Sequence, residues 1–256
     1  MHFNTKFFMV LALTSITWSD AAICRDAVDT FNGRSTIRLN TEGDVRRENG
    51  HLVLRVVKGD RHPAGGYIGD GARATMAESL QYGKVTARLR TAGTRGIVSA
   101  MFTMANDKDE MDLEWLGGKP RELLSNFFYK GDLIFTNSQE HNINIDSSKQ
   151  FVNYTLDWKP DSISWLINGR VVRTLRKDQT YDRKIRAYRF PSSPAKVEFS
   201  VWDGGDSEED GTSEWAGGRV NWEDKHIYDD GRLDMKVDLL EIKCHPELRG
   251  KRNFVQ

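Results

Sequence analysis

Three carboxylates at alternate positions form the stretch of this sequence best suited to chemistry. Glu110, Asp112 and Glu114 are separated by single apolar residues and followed by Trp115. Because side chains of an extended strand alternate between faces, a strand here would place all three acids on one face. Like charges on one face do not stabilise a strand. A pair of carboxylates is what glycosidic cleavage needs, one to attack or activate water and one to protonate the leaving oxygen.

The spacing of the two glutamates leaves the stereochemistry of such a reaction open. In an ideal strand the Cα atoms of Glu110 and Glu114 would lie about 13 Å apart. Side chains leaning towards each other could close the carboxyl groups to the ~5–5.5 Å of a retaining double displacement, but the ~6.5–9.5 Å gap of an inverting enzyme is not excluded. The charge of Asp112 would favour the protonated form of a neighbouring carboxyl group, as a general acid requires.

Two other interpretations of the acidic stretch compete with the catalytic strand. A helix would also bring residues four apart together, but Gly117, Gly118 and Pro120 follow at once and favour a strand. A solvated edge strand would show the same alternation with its charged face in water. The apolar run 96–104 directly before the acids predicts a strand buried on both faces, so the acids would lie in a sheet interior. Three carboxylates there would be costly without a function.

The strands that would position these acids are predicted from short runs rich in β-branched and aromatic residues, separated by Gly, Asn and Asp. The predicted strands are 35–39, 51–57, 83–90, 96–104, 109–115, 151–158, 162–167, 170–175, 196–202 and 233–243. Asn168-Gly169 is a strong hairpin signal. No amphipathic helix of any length and no internal repeat is visible, and 203–218 is expected to form a long loop. The pattern favours an all-β, antiparallel sandwich.

The first 21 residues have the composition of a secretory signal peptide. Lys6 precedes the apolar run 7–13, and residues 19–21 offer a cleavage site of the small–x–small type. We therefore predict cleavage after Ala21, one domain over 22–247 and a short basic tail over 248–256. No lipid-anchor signal and no later segment of transmembrane length is visible, so the mature chain is expected to be secreted, extracellular or in a cell wall.

Cysteine usage and charge agree with secretion. In an oxidising compartment Cys24 and Cys244 are expected to form one disulfide, with two free thiols as the alternative. The 37 basic and 37 acidic residues cancel, so no net field would draw the chain to nucleic acid or an anionic membrane. Asn153 begins the sequon Asn153-Tyr154-Thr155 and is a candidate glycosylation site.

Other motifs that could carry chemistry fail in their context. The segment 69–74 resembles a dinucleotide fingerprint, but no helix and no βαβ unit surrounds it. The six histidines show no close pairing, so no zinc site is predicted. There is no Gly-x-Ser-x-Gly elbow and no phosphate loop. We therefore expect neither a metal nor another cofactor, and the chemistry must come from carboxylates.

Aromatic residues supply candidates for stacking on sugar rings. By strand alternation Trp115 faces away from the acids and is expected in the core. Trp202 ends a predicted strand and Trp215 lies in the predicted long loop, so these two are the better candidates for a cleft.

The acidic stretch matches the Glu-x-Asp-x-Glu signature of glycoside hydrolase family 16. The wider sequence resembles the fungal cell-wall branch of that family, the Crh-type chitin–glucan transglycosylases. The matching segments follow family order and are 82–85, 96–99, 109–118, 125–128, 154–158, 202–206 and 214–218. The resemblance covers most of the mature chain.

The resemblance implies a concanavalin-like jelly roll with a glycan groove across its concave sheet. It also implies roles for the acids: Glu110 as nucleophile, Glu114 as general acid and then base, and Asp112 as the assisting residue between them. These roles would make the enzyme a retaining one.

The same resemblance suggests substrate-binding residues. Asn126 falls where the family places a cleft-lining Asn, and Phe128 in the same matching segment is grouped with it, as are Trp202 and Trp215. Leu124 departs from the family pattern, since related enzymes often carry Gln there. The chain also shows neither the Cys-rich chitin-binding module nor the Ser/Thr-rich anchored tail of some relatives. It is therefore expected to be soluble after secretion, or held to the wall by its substrate.

These observations predict an enzyme that transfers chitin-like fragments to a β-glucan acceptor through a covalent glycosyl-enzyme. The expected partners are these two polysaccharides, and a monomer is the favoured state. An endo-acting β-glucan or chitin hydrolase of the same family is one alternative. The other is a non-catalytic carbohydrate-binding wall protein on the same sandwich, which would not need the intact acid triplet.

Overall fold

A computed structural model describes residues 24–207 and 210–246. The predicted signal peptide and the basic tail lie outside these residues. Within them the strands are β1 Ala27–Asp29, β2 Leu39–Glu42, β3 Asp44–Glu48, β4 His51–Arg55, β5 Val57–Arg61, β6 Tyr67–Asp70, β7 Ala72–Met76, β8 Gly83–Arg90, β9 Ile97–Ala105, β10 Glu110–Leu116, β11 Glu122–Phe128, β12 Gln139–Asn142, β13 Val152–Trp158, β14 Ser162–Ile167, β15 Arg170–Arg176, β16 Tyr181–Asp182, β17 Ala187–Tyr188, β18 Ala195–Asp203 and β19 Asp234–Lys243.

Helices are few and short in the described part of the chain. One α-helix, α1, spans Asp210–Ala216, and 3-10 helices span Phe135–Asn137, Lys177–Thr180, Gly204–Asp206 and Lys225–Gly231. None of the helices in these residues has the length and apolar character needed to cross a membrane.

Two antiparallel sheets pack face to face and confirm the predicted sandwich. The seven-stranded sheet, which we call the acidic sheet, has the order β12-β11-β10-β9-β18-β7-β2. The eight-stranded sheet, which we call the covering sheet, has the order β15-β14-β13-β8-β19-β4-β3, with β1 also paired to β19. Every pairing within the two sheets is antiparallel.

The strand that carries the three acids lies inside its sheet. β10 pairs with β9 on one side and with β11 on the other. A strand paired on both sides has no free row of N–H and C=O groups, so the edge-strand interpretation is wrong. The neighbouring strand β9 supports the interior position of β10, because Ile97 and the four residues after it are buried.

The core between the sheets is rich in large aromatic residues, and one of them hydrogen-bonds across it. Trp115 of β10 is 1% exposed and packs edge-to-face on Tyr154 of the covering sheet, with ring centroids 4.6 Å apart. This confirms its predicted place in the core. The indole N–H of Trp165 donates to the backbone carbonyl of Asp112 at 2.9 Å. The covering sheet therefore holds the backbone of the acidic strand directly.

A buried arginine ties the covering sheet to β11. Arg173 donates to the carbonyl oxygens of Ser125 and Asn137 at 2.7 and 2.8 Å, and its guanidinium lies 4.6 Å from the ring centroid of Trp165. Burial lowers its pKa to about 10. Carbonyl oxygens and a ring face take the place of a carboxylate partner, so the charge is accommodated by hydrogen bonding and a cation–π contact.

Most predicted strands form, and the exceptions have local causes. The Asn168-Gly169 hairpin is confirmed, with both residues at positive φ (48° and 79°), as a two-residue type I′ turn requires. The segment 35–39 is strand only from Leu39, since Ser35 forms a side-chain turn with Ile37. The predicted long loop 203–218 contains the 3-10 helix Gly204–Asp206 and the seven-residue α1, so this segment has more regular structure than predicted.

The termini of the described chain are joined by the predicted disulfide. The Cys24 and Cys244 sulfur atoms are bonded, across a separation of 220 residues. Replacing both cysteines with serine is expected to lower the free energy of unfolding by about 2–5 kcal/mol, because the unfolded chain loses its longest loop constraint. Guanidinium unfolding of the two proteins measures this difference. An unchanged midpoint would contradict the expectation.

Candidate active site

The side chains of Glu110, Asp112 and Glu114 lie on the face of the acidic sheet that points away from the core. Met111 and Leu113 between them are 1% and 0% exposed and belong to the core cluster. The structure therefore brings together the three acids singled out in the sequence, as strand alternation predicts. Asp112 is buried, whereas the two glutamates are half-buried and remain accessible from solvent.

A cavity of about 370 Å³ lies over these acids and extends across the acidic sheet. Its lining comes from β2, β7, β9, β10 and β18, with the three acids at one end. Trp202, one of the two predicted cleft tryptophans, is part of the lining. Trp215 stacks on it with ring centroids 6.5 Å apart and 30° between the planes, but it is not one of the residues that line the cavity.

Electrostatics separates the protonation states of the first two acids. Burial, and then the charges of Glu110 and Glu114, raise the pKa of Asp112 well above its ordinary value. A side-chain hydrogen bond with Glu110 adds to this rise in pKa, and Oδ2 of Asp112 has no hydrogen-bond partner among the described residues. A protonated Asp112 can therefore donate to Glu110, which favours the carboxylate form of Glu110.

The third acid is held in a protonatable state near neutral pH. Burial, followed by the negative charge of Glu110, raises the pKa of Glu114 to about 7. Burial also raises the pKa of Glu110, but the hydrogen bond with Asp112 opposes that rise. A proton donor and an adjacent carboxylate can thus coexist on one strand, which is the arrangement that general acid catalysis beside a nucleophile requires.

An apolar patch lies at the Glu114 end of the strand. Leu124 is directly opposite Glu114 in the β10–β11 register. It packs against a small hydrophobic cluster of Val98, Leu116 and Ala216, as do Trp202 and Trp215. The sequence showed that Leu124 departs from the family pattern. In the structure Leu124 adds apolar surface beside Glu114, the glutamate whose pKa is raised.

Replacing Leu124 with glutamine is expected to lower the pKa of Glu114 from about 7 towards the ordinary value of a glutamate, because a polar neighbour reduces the desolvation that raises it. If Glu114 acts as the proton donor, the alkaline limb of the pH–rate profile moves to lower pH. A pH series of kcat on one soluble donor measures the shift, with Leu124→Met as the control that preserves apolar surface. An alkaline limb that stays in place, or moves upwards, would contradict the expectation.

The other two predicted substrate-binding residues flank the acids on β11. Asn126 is opposite Asp112 and Phe128 is opposite Glu110, so both lie on the same face as the acids. Asn126 is buried at 4% exposure. Phe128 contacts Phe135 edge-to-face, with ring centroids 5.9 Å apart, and Phe135 is 67% exposed. The predicted residues other than Trp215 therefore border the acids, and their contact with a substrate remains a prediction.

Sequence reasoning missed the charged part of the cavity. Arg73 and Ser200 are opposite each other in the β7–β18 register and line the cavity. Glu198, buried at 8% exposure, lies 3.8 Å from Arg73, and its charge adds to the raised pKa of Glu110. A signal was present, since polar and apolar residues alternate along 196–202. The segment 69–74, which resembles a nucleotide-binding motif, supplies Arg73.

A second missed residue, Asp109, anchors the start of the acidic strand. It is 2% exposed, and its carboxylate accepts backbone N–H groups of Lys130, Ser192 and Ser193 at 3.0, 2.8 and 3.1 Å. Two loops are thereby fixed against the residue that precedes Glu110. Only the folded chain brings these loops together, so nothing in the local sequence signals this role.

The described part of the chain contains no candidate metal site. No group of three or more His, Cys, Asp or Glu side chains there is arranged to hold a metal ion. Asn153 lies half-buried on β13, and its modification stays a prediction.

Comparison with protein families gives one match over most of the chain. The model of Glycosyl hydrolases family 16 matches residues 32–224. Among curated proteins, the Probable glycosidase CRR1 of Saccharomyces cerevisiae is 35% identical over 200 residues, covering 77% of this chain and 45% of the relative. Crh-like protein 2 of Aspergillus fumigatus is 32% identical over 222 residues, covering 83% of this chain and 48% of the relative. The chain spans about half the length of the curated relatives it matches.

Solved structures give the same result. The Crh5 transglycosylase in complex with NAG is 26% identical, with a TM-score of 0.71 and coverage of 87% of this chain and 88% of that one. The β-glucanase of Bacillus licheniformis shares the fold at 17% identity, with a TM-score of 0.64 and coverage of 86% and 98%. With a family match over 32–224 and a sandwich that carries the family's acid signature on an interior strand, this chain belongs to glycosyl hydrolases family 16.

Proposed function

We propose that this protein is a retaining enzyme of β-linked cell-wall polysaccharides that transfers a glycosyl fragment from one chain to another. The observation that carries the proposal is the alternation of Glu110, Asp112 and Glu114 on one accessible face of β10, with pKa values set apart by burial and mutual charge. Two carboxyl groups in different protonation states are what double displacement at a glycosidic bond requires.

In the first step the Glu110 carboxylate attacks the anomeric carbon of the donor. The bond from that carbon to the leaving oxygen breaks, and the oxygen takes the proton of Glu114. A bond from a Glu110 oxygen to the anomeric carbon replaces it, which gives a covalent glycosyl-enzyme. Asp112 keeps its proton and donates to Glu110, so it positions and tunes the nucleophile and transfers no proton.

In the second step Glu114, now a carboxylate, takes the proton of an acceptor hydroxyl group. The acceptor oxygen attacks the anomeric carbon, and the bond to Glu110 breaks. If the acceptor is a sugar the product is a new glycosidic bond, and if it is water the product is a shortened chain. The apolar patch around Leu124 and Trp202 favours a sugar, because it offers a surface for a pyranose face and poor hydration.

The proposed donor is chitin-like and the proposed acceptor is a β-glucan. Support comes from the Crh5 transglycosylase, which is similar to this chain at 26% identity and was solved with NAG, the sugar from which chitin is built. The Crh-like relatives of Candida albicans and Aspergillus fumigatus support a fungal-type cell-wall setting. We propose Asn126, Phe128 and Trp202 as sugar contacts on either side of the acids, with Trp215 as the support behind Trp202.

An acceptor assay tests the proposal. The protein is incubated with an unlabelled chito-oligosaccharide donor and a fluorescently labelled β-glucan oligosaccharide, and the labelled products are sized. We expect the label to move into longer chains. Shortening of the donor with no growth of the labelled chain would identify a hydrolase, and binding without any product over a long incubation would identify a carbohydrate-binding protein.

A further inference from the structure

A second cavity, which we call the basic cleft, opens on the other sheet. Its volume is about 1200 Å³. Its floor includes Arg55, Arg90 and Lys236, on three adjacent strands of the covering sheet (β4, β8 and β19). Met235 and Val237 on either side of Lys236 belong to the core, so the floor faces outwards. It therefore points away from the cavity over Glu110, Asp112 and Glu114, which we call the acidic groove.

The walls of the basic cleft come from two connecting segments. One is the 3-10 helix Lys225–Gly231, and the other is the segment 146–149 that precedes β13. Small-molecule sites usually enclose ~300–1,000 Å³. The basic cleft is larger than that range, so it has room for several units of an oligomeric ligand.

The charge of the basic cleft is opposite to that of the acidic groove. The cationic side chains that line the cleft are Arg55, Arg90, Lys149, Arg232 and Lys236. The carboxylates that line it are Asp146, Asp229 and Asp234, which leaves a formal excess of two positive charges among the lining side chains that the structure describes. The acidic groove has four carboxylates and one arginine in its lining. The chain as a whole has no net charge, whereas these two cavities carry opposite formal charges on different sheets.

The carboxylates of the basic cleft are already engaged by the protein. Asp234, 1% exposed, receives a bidentate pair from Arg55 at 2.5 and 2.8 Å. Asp229 pairs with His226 at 2.8 Å, and that contact raises the pKa of the histidine. Asp146 accepts the backbone N–H and the hydroxyl group of Ser148, and its Oδ2 lies 3.7 Å from the ammonium group of Lys149, which is itself 78% exposed. Lowering the pH towards the raised pKa of His226 adds a further positive charge.

An exposed aromatic ring completes the lining. Tyr228 is 54% exposed, on the same 3-10 helix as His226. A ring face of this kind stacks on the apolar face of a pyranose, while Arg and Lys side chains recognise carboxylate and phosphate groups. The cleft thus combines a surface for a sugar ring with donors for an anion.

We propose that the basic cleft binds an acidic glycan, that is, a polysaccharide segment whose sugars carry carboxylate or phosphate groups. Tyr228 stacks on a sugar ring, and Arg232 and Lys149 on the two walls donate to the anionic substituents. Because this site and the acidic groove are on different sheets, both can be filled at once. Binding at the basic cleft does not depend on the proposed transglycosylation.

Calorimetric titration of the full-length protein tests this site. The probes are an oligoglucuronic acid, a phosphorylated mannan oligosaccharide, a neutral cello-oligosaccharide of equal length, and inorganic phosphate. We expect at least one acidic oligosaccharide to bind, more weakly as salt is raised, and the one that binds identifies the anionic group. Failure of both acidic probes, equal binding of the neutral one, or equally tight binding of phosphate alone would overturn the proposal.

Three variants locate the binding, each with a fold control from its unfolding curve. The variants are Arg232→Gln, Lys149→Gln and Tyr228→Ala. Each is expected to weaken the binding of the acidic oligosaccharide about tenfold, which is the effect of losing one charged contact or one stacking partner. Arg183→Gln and Lys184→Gln are the matched controls, since both residues are exposed on the β16–β17 turn. Wild-type affinity in the cleft variants, or an equal loss in the controls, would overturn the assignment. Transfer between soluble neutral oligosaccharides should be unchanged in all five.

Discussion

Replacing Glu110 with glutamine is expected to lower kcat by a factor on the order of 10⁶, the size that follows removal of an enzyme nucleophile. The amide is nearly isosteric with the carboxylate but cannot form the covalent bond to the anomeric carbon. The substitution removes one of three crowded acids from the sheet, so the fold should persist and the unfolding midpoint should stay the same or rise. Initial rates on a soluble donor, together with an unfolding curve, measure both effects.

Glu241→Gln is the matched control, because it makes the same chemical change on β19 of the covering sheet, far from the acids. Its kcat should equal that of the wild type. Near-normal turnover in Glu110→Gln would remove that glutamate from the role of nucleophile. An inactive variant with a collapsed unfolding midpoint would instead mean that Glu110 is needed for the fold.

Replacing Glu114 with glutamine has the second largest expected effect, a loss of about 10²–10⁴ in kcat for a donor with a sugar leaving group. The loss should be much smaller in the first step for a donor with an aryl leaving group, which departs without a proton. The alkaline limb of the pH–rate profile, expected near the raised pKa of about 7, should disappear from the glycosylation step. Single-turnover rates on the two donors over a pH series measure these effects.

The pH dependence of stability provides an independent check on the same residue. Because folding raises the pKa of Glu114, the native state holds its proton more tightly than the unfolded chain. The contribution of this group to stability is complete below its ordinary pKa and is lost as the pH rises through about 7. Glu114→Gln should flatten that part of the stability curve. Equal losses of rate on the two donors, with an unchanged stability profile, would contradict the assignment of Glu114 as the acid.

The sequence was sufficient for features that depend on neighbouring residues. Alternation placed Glu110, Asp112 and Glu114 on one face and Trp115 in the core. The apolar run before them predicted an interior strand, and β10 is indeed paired on both sides. The Asn168-Gly169 turn needs only the φ preferences of two residues, and it was predicted correctly for that reason.

Features assembled from distant segments could not be predicted in the same way. Arg73 and Glu198 meet at the cavity because β7 and β18 are neighbours in the sheet, although more than 120 residues separate them in sequence. Asp109 accepts N–H groups from a loop more than 80 residues away. The raised pKa of Glu114 depends on burial by such neighbours and on the charge of Glu110. The sequence therefore suggested the direction of the shift but attributed it wrongly to the charge of Asp112.

The most direct test of this account is to trap the glycosyl-enzyme. The protein is incubated with a chito-oligosaccharide whose reducing-end sugar carries fluorine at C2, in place of the acetamido group, and an activated leaving group at C1. The fluorine slows the second step more than the activated leaving group allows the first to be slowed, so the intermediate accumulates. The protein is then digested for mass spectrometry. We predict the added mass of one glycosyl fragment on the peptide that contains Glu110, and no adduct in Glu110→Gln. An adduct on Glu114, or no adduct together with a product of inverted anomeric configuration, would contradict it.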